Sequence, residues 1–315
     1  MLDTGEADVH PLTVVVAAIL AAVHPVVRRP GEGEPITDKP NRALHILAGH
    51  ENLVVTEMRY GPGEAGPDLH VHRLHSDCFY IVDGEIVFGL GPGGETFTAA
   101  AGTFVAAPPM VGHTFRNESD ADVRFLNFHA PGCRFDDYVR SRLDGTHEEA
   151  AKWFDSYDIP DDGGRPASDG VVRGPGEGDT ISVGASSLLF KAEVSDGAGH
   201  LSLTENTIGP GFPGPPPHRH LKTLDSFYVL EGELTLQVGG ETVKATTGTY
   251  AFVPPGNVHT FSNPGDTPVR ALNLMAPGGF EQYLKEVAAV MPPDGTVDPA
   301  AMGRIASQYD FELAG

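Results

Sequence analysis

An all-β chain, built from one sandwich- or barrel-like domain written twice with short helices closing each copy, is what this sequence predicts. Three observations carry the prediction. Long stretches recur in the same order in the two halves. Short β-branched and aromatic runs are separated by Gly/Pro turns about every eight to twelve residues, the spacing of an antiparallel sandwich or barrel. Apolar residues at helical spacing occur only in the tails, "THEEAAKWFDSY" and "FEQYLKEVAAVM".

The elements follow in chain order. Residues 1–25 have no counterpart later in the chain and form an N-terminal extension. Its apolar run Thr13–Val23 is too short to span a bilayer. Acidic Asp3, Glu6 and Asp8 precede it, where a secretory signal carries positive charge. The extension is expected to be dispensable for fold and site unless it covers a barrel edge. The first copy, 26–160, opens with "VVRRPGEGEPI" and the second, 171–315, with "VVRGPGEGDTI". Between them the Asp/Gly/Pro-rich segment 161–170 reads as a linker. "TEMRYGPG" at Thr56 then matches "TENTIGPG" at Thr204. "HVHRLHSDCFYIVDGE" at His70 matches "HRHLKTLDSFYVLEGE" at His218, and "GTFVAAPPMVGHTFRN" matches "GTYAFVPPGNVHTFSN" after a small insertion in the first copy around "GLGPGGET". "RFLNFHAPG" pairs with "RALNLMAPG", and each tail is expected to end in equivalent Tyr-Asp dipeptides, Tyr157-Asp158 and Tyr309-Asp310. A repeat this long is a duplicated domain, not a solenoid unit.

With 315 residues the chain can bury two ordinary cores. A formal net charge of −22 argues against nucleic acid and against an anionic membrane surface. Two cysteines, Cys78 and Cys133, make no disulfide framework and point to a reducing cytoplasm.

In the second copy His218 and His220 are two apart and share a strand face. Asp225, Phe227 and Val229 share a face of the next strand, with Ser226 and Tyr228 opposite. His259 begins a further strand with Phe261 and Asn263 on its side. If that face is the interior, three imidazoles and a carboxylate converge, a donor set suited to a first-row divalent ion with open positions for substrate. His70, His72, Asp77 and His113 stand at the matching places of the first copy.

These motifs resemble the two motifs of the cupin superfamily: His-x-His, four residues, an acid, six residues, Gly232; and Gly248, five residues, Pro254-x-Gly256, two residues, His259, three residues, Asn263. The first copy carries Gly84, Gly102, Pro108 and Asn117 likewise, and departs at Met110, where the pattern has Gly. Both copies have Asp where most members have Glu. The resemblance covers nearly everything after residue 25. It implies two cupin jelly-roll barrels, a bicupin, with one divalent metal ion per domain held by His70, His72, Asp77 and His113, and by His218, His220, Asp225 and His259. Iron is expected first, with manganese, nickel, cobalt, copper or zinc as alternatives. It implies most directly a dioxygenase of the quercetinase-like kind, acting on a small hydroxylated aromatic or enol with O2. A redox-neutral isomerase or cyclase, or a non-catalytic metal- or ligand-binding cupin, are the alternatives. A small molecule is the expected partner, neither nucleic acid nor membrane, and a homodimer is a possible assembly.

Asp77 and Asp225 are candidates for two roles, fourth ligand or general base. His75, facing Thr223 in the alignment, is expected to be a solvated loop residue. Cys78 is expected to point away from the ligands. Glu57 and Glu205 are open between inward partners of a ligand imidazole and surface residues. Phe79, Ile81, Phe115, Phe227, Val229 and Phe261 are expected as core that also walls an apolar pocket. Asn117 and Asn263 are expected to hold turns.

Overall fold

The computed structural model describes residues 24–161, 163–196, 200–291 and 298–314. Almost all of the extension 1–25, with the expectation attached to it, therefore lies outside the described residues. Among the described residues the strands form four antiparallel sheets, two of seven strands and two of five. Each domain closes one seven-stranded sheet over one five-stranded sheet, the two-layer arrangement of a jelly roll.

Alternation along one strand shows how each barrel gains two cores. In Ser76–Asp83, Phe79 and Ile81 point into the barrel and pack with Phe88, Val105, Phe115 and Phe125. Cys78 and Tyr80 point the other way, into a cluster shared with Leu201, Leu203, Tyr228, Tyr250 and Leu272 of the second domain. Leu224–Glu231 repeats this, Phe227 and Val229 inward and Tyr228 outward. The two large sheets thus pack back to back through a largely apolar layer. Cys78 is buried there, away from the ligand face as expected, and burial raises its thiol pKa well above the usual value.

The boundaries 26–160 and 171–315 are sequence boundaries. In space the first strand of each copy is exchanged. Val26–Arg28 pairs with Tyr250–Val253 of the second domain, and Val171–Arg173 pairs with Phe104–Ala107 of the first. Periodicity along a chain cannot reveal which sheet edge a strand joins, so this exchange is invisible before folding.

Glu57 and Glu205 take neither expected place. They lie across the domain interface: Tyr228 Oη donates to Glu57 Oε1 at 2.8 Å and Tyr80 Oη donates to Glu205 Oε2 at 2.7 Å. The reason is register. Glu57 and Glu205 fall on the outward face of their strands, opposite Leu126 and Leu272 of the shared layer. Arg270 and Arg124 complete the two arrangements.

The helices are more numerous than the tails suggest. Phe135–Asp144 follows the first barrel, buries Phe135 and Val139 at i,i+4 spacing, and ends on Gly145 with φ 77°. Of "THEEAAKWFDSY" only His147–Ala150 is helical. Glu281–Val290 forms as the spacing predicts, and Pro299–Ala306 adds a helix whose N-cap Asp298 accepts from the Ala300 amide at 2.9 Å. No helix among the described residues is long and apolar enough to cross a membrane.

Candidate metal centres

The eight expected ligands come together as two buried clusters. In each, His70, His72, Asp77 and His113, or His218, His220, Asp225 and His259, place one donor atom apiece within 4.8 Å of one another. His70–Val71 and His113–Arg116 are adjacent strands whose register sets His70 opposite His113, and His218 stands opposite His259 in the same way. Asp77 and Asp225 come from the neighbouring large sheet. The barrel therefore brings its two layers together at these side chains.

The histidines are held in one tautomer. In the first cluster Nδ1 of His70 donates to the Asp68 carbonyl at 2.8 Å, Nδ1 of His113 to Val111 at 3.2 Å, and Nδ1 of His72 to Asp155. In the second, Nδ1 of His218 donates to Pro216 at 2.9 Å, that of His259 to Asn257 at 3.1 Å, and that of His220 to Asp310. A carbonyl only accepts, so each Nδ1 carries the proton and each Nε2 turns a lone pair inward. Nε2 of His72 and of His220 are buried without a hydrogen-bond partner, an arrangement that is unfavourable unless a cation sits there. His113 Nε2 and Asp77 Oδ2 are 3.1 Å apart, as are His259 Nε2 and Asp225 Oδ2. Donors roughly 2.0–2.2 Å from one shared ion are separated by about this distance. The residues thus fit one divalent ion per domain.

Two asparagines that the motif spacing does not single out fix the carboxylates. Asn127 Nδ2 donates to Asp77 Oδ1 and, at 3.2 Å, to the Cys78 carbonyl; Asn273 does the same for Asp225 and Ser226. Their signal is present in the sequence: the Leu-Asn pair recurs at the same place in both copies. Asn127→Ala is expected to lower metal affinity by ~10–100-fold, the usual effect of losing a group that orients a ligand. Competition with a chelator measures it.

The repeated Tyr-Asp dipeptide misaligns the two tails. The counterpart of Asp310 is Asp155, not Asp158. Asp155 accepts the amides of Arg73 and Leu74, and Asp310 those of Leu221, Lys222 and Thr223. Each aspartate thereby ties its tail across the loop after the second histidine. Asn117 and Asn263 hold turns, donating to the carbonyls of Tyr60 and Ala121, and of Ile208, Gly209 and Thr267. Met110 occupies the left-handed backbone its Gly256 counterpart has, φ 69° against 84°. Its amide donates to the His72 carbonyl at 2.7 Å as that of Gly256 does to His220. The hydrogen bond is kept at the expense of a strained residue.

His75 is not solvated. It is fully buried, Nδ1 donates to Asp155 Oδ2 at 2.9 Å, and Nε2 lies 2.8 Å from His129 Nδ1. His129 Nε2 in turn lies 3.1 Å from Asn127 Oδ1 and 3.5 Å from Asp77 Oδ1, and its ring stacks on Phe135 at 3.6 Å. The loop folds inward because Asp155 and His129, distant in sequence, offer it partners. In the second domain Thr223 and Met275 stand at these places, so this line of polar contacts belongs to the first centre.

Burial favours neutral imidazoles at His70 and His218, whereas at His259 burial is outweighed by the Asp225 carboxylate, which raises the pKa. Burial lowers the His70 pKa to about 3 and that of His218 to about 4, helped by the neighbouring imidazoles. For Asp77 burial works the other way, but the imidazoles of His129, His113 and His72 outweigh it and hold the carboxyl well below its usual range. The unfolded chain takes up protons on His70 and His218 below about pH 6.5, while the folded chain does not. The unfolded state then binds more protons, so stability falls with pH from 6.5 towards 3–4. A chelator-treated sample should show its melting temperature falling steadily across that window.

A cavity of about 280 Å³ opens on the first centre. His70, His72 and Asp77 form its floor, and Tyr60, Phe115, Phe135, Tyr138 and Phe154 are among its walls.

Comparison with known proteins agrees with the two-barrel fold. The model of the cupin domain family matches residues 56–129 and 205–275. Quercetin 2,3-dioxygenase of Bacillus subtilis (strain 168) is 22% identical over 308 residues, covering 87% of this chain and 88% of that one. Among solved structures, oxalate decarboxylase from Bacillus subtilis superposes with a TM-score of 0.56 at 18% identity, over 81% of this chain and 77% of that. The putative glyoxylate induced protein from Pseudomonas aeruginosa gives 0.58 at 16% identity, over 80% and 87%. At these identities the structural likeness speaks for the fold.

Proposed function

This chain belongs to the cupin superfamily as a two-domain member, and from that premise we propose that it is a metal-dependent dioxygenase acting on a small hydroxylated aromatic or enol. The observation that carries the reading is the aromatic-walled cavity ending on His70, His72 and Asp77. Its volume is at the small end for ligand pockets, which suits one or two fused rings and excludes a polymer. Support also comes from the likeness to quercetin 2,3-dioxygenase along most of both chains.

His70, His72, His113 and Asp77 would hold the first ion, and His218, His220, His259 and Asp225 the second. When bound, an open-shell ion, iron first and manganese next, supplies Lewis acidity toward a substrate oxygen and the means of reacting with O2. The remaining work falls to the chain. The rings of Phe115, Phe135, Tyr138 and Phe154 bind the substrate's apolar body and exclude water. The line Asp155–His75–His129, ending on Asn127 and Asp77, keeps the Asp77 carboxylate in place beside the incoming hydroxyl.

A second reading, a redox-neutral lyase, is favoured by the oxalate decarboxylases among the structural neighbours, the Bacillus subtilis one having Mn(II) centers. Oxygen uptake separates the two. Chain loaded with Fe(II) or Mn(II) is offered flavonols, catechols and β-diketones, and small dicarboxylates in parallel. Stoichiometric O2 consumption with an aromatic or enol supports the dioxygenase; product without O2 uptake transfers the case to the lyase.

A further inference from the structure

The tails that close the two barrels differ where they face the metal site, at Phe154 against Tyr309 and at Ser156 against Phe311. Because Asp155 and Asp310 are equivalent, so are the next residues, Ser156 and Phe311. The backbone agrees: the Ser156 amide donates to Phe154 O and the Phe311 amide to Tyr309 O, both at 2.9 Å. The strands that follow, Tyr157–Asp158 and Glu312–Leu313, pair with His70–Val71 and His218–Arg219 in the same register.

Ser156 lines the cavity above His70 and His72. Phe311 instead lays its ring on His218, centroids 4.5 Å apart and planes at 22°, and lies 6.0 Å from His220. It is wedged there by Tyr283 at 5.2 Å and belongs to an apolar cluster with Met275, Phe280 and Ile305. Ile305 comes from Pro299–Ala306, a helix with only the single turn His147–Ala150 as its counterpart among the described residues. The second domain thus lays an aromatic ring on His218 where the first has Ser156 beside His70, while the first domain's tail ring, Phe154, stands 5.8 Å from His72.

We infer that the two centres are unequal: the first admits the aromatic substrate, and Phe311 closes the second to it, Ser156 and Phe311 being the residues that set this difference. The inference rests on the proposed metal-binding reading and names which centre takes the substrate. A closed second centre holds its ion for structure, stabilising the domain through occupancy.

The test uses full-length chain loaded with Co(II), counted by elemental analysis, and titrated with 4-nitrocatechol, a coloured chelating ring whose absorption shifts on ligation. If no cobalt binds, the metal reading itself fails. With two ions bound, the wild type is expected to take up about one equivalent; two equivalents, or none, overturns the inference. Phe311→Ser should raise uptake to about two, and Ser156→Phe should lower it to none. An unchanged count in either folded variant, checked by circular dichroism and retained cobalt, overturns the assignment to this pair. Should Phe311→Ser fail to fold, Ser156→Phe and the wild-type count still decide.

Discussion

His113→Ala should remove one of the two ions, bring turnover to background, and lower the melting temperature of the loaded protein. The expectation follows from the ring's position: Nδ1 is pinned to Val111, and Nε2 meets Asp77 Oδ2 at 3.1 Å on the cluster's inner side. His70 and His72 cannot take its place, since they are already oriented as ligands by their own carbonyl partners. At free metal a thousandfold above Kd, occupancy stabilises a fold by about 4 kcal/mol. At roughly 2–4 °C per kcal/mol for a domain of this size, losing it should shift the melting temperature by on the order of 10 °C. His259→Ala should lose the other ion with a similar thermal effect, because its partners Asn257 and Asp225 repeat the geometry. Elemental analysis and calorimetry check both. Retention of two ions by either variant would exclude that histidine as a ligand.

The duplicated motifs make the fold and the eight buried side chains legible, because two copies with the same spacing test each other. What stays hidden depends on contacts between segments far apart in sequence. The exchange of Val26–Arg28 and Val171–Arg173 is a choice between two equivalent sheet edges, and identical "VVR" strings carry no information about it. His75 reads as solvated because its loop is polar, yet Asp155 and His129, some eighty and fifty-four residues on, bury it. The Tyr-Asp dipeptides are a decoy: similarity of letters outweighs the position of the aspartate that binds the loop amides. Glu57 and Glu205 cannot be placed from sequence, since the period-two pattern gives a face but not what lies against it. Only the second domain, folded against the first, supplies Tyr228 and Tyr80 as their partners.

Asp77→Asn should abolish metal binding at the first centre, and the reason lies in Asn127. The sequence leaves two roles for this carboxylate, ligand or base. In the structure Oδ1 accepts from Asn127 Nδ2, while Oδ2 faces His113 Nε2 at 3.1 Å and His72 Nε2 at 3.7 Å. Asn127 cannot turn its amide over, because Nδ2 also donates to the Cys78 carbonyl, which can only accept. An asparagine at position 77 must therefore present its oxygen to Asn127 and its NH2 to the cluster, aiming donors where the ion needs a lone pair. Metal affinity should fall by more than the roughly 10–100-fold expected for groups that only orient a ligand. If Asp77 were solely a base, the variant would keep its ion and lose about 10²–10⁴-fold in turnover. The double variant Asp77→Asn/Asn127→Asp tells the two apart by rescue. The carboxylate introduced at position 127 accepts the new amide at position 77, turns that amide's oxygen back toward the ion, and restores the negative charge. Part of the metal affinity should return in a chelator competition. Full metal content in the single variant would defeat the ligand role.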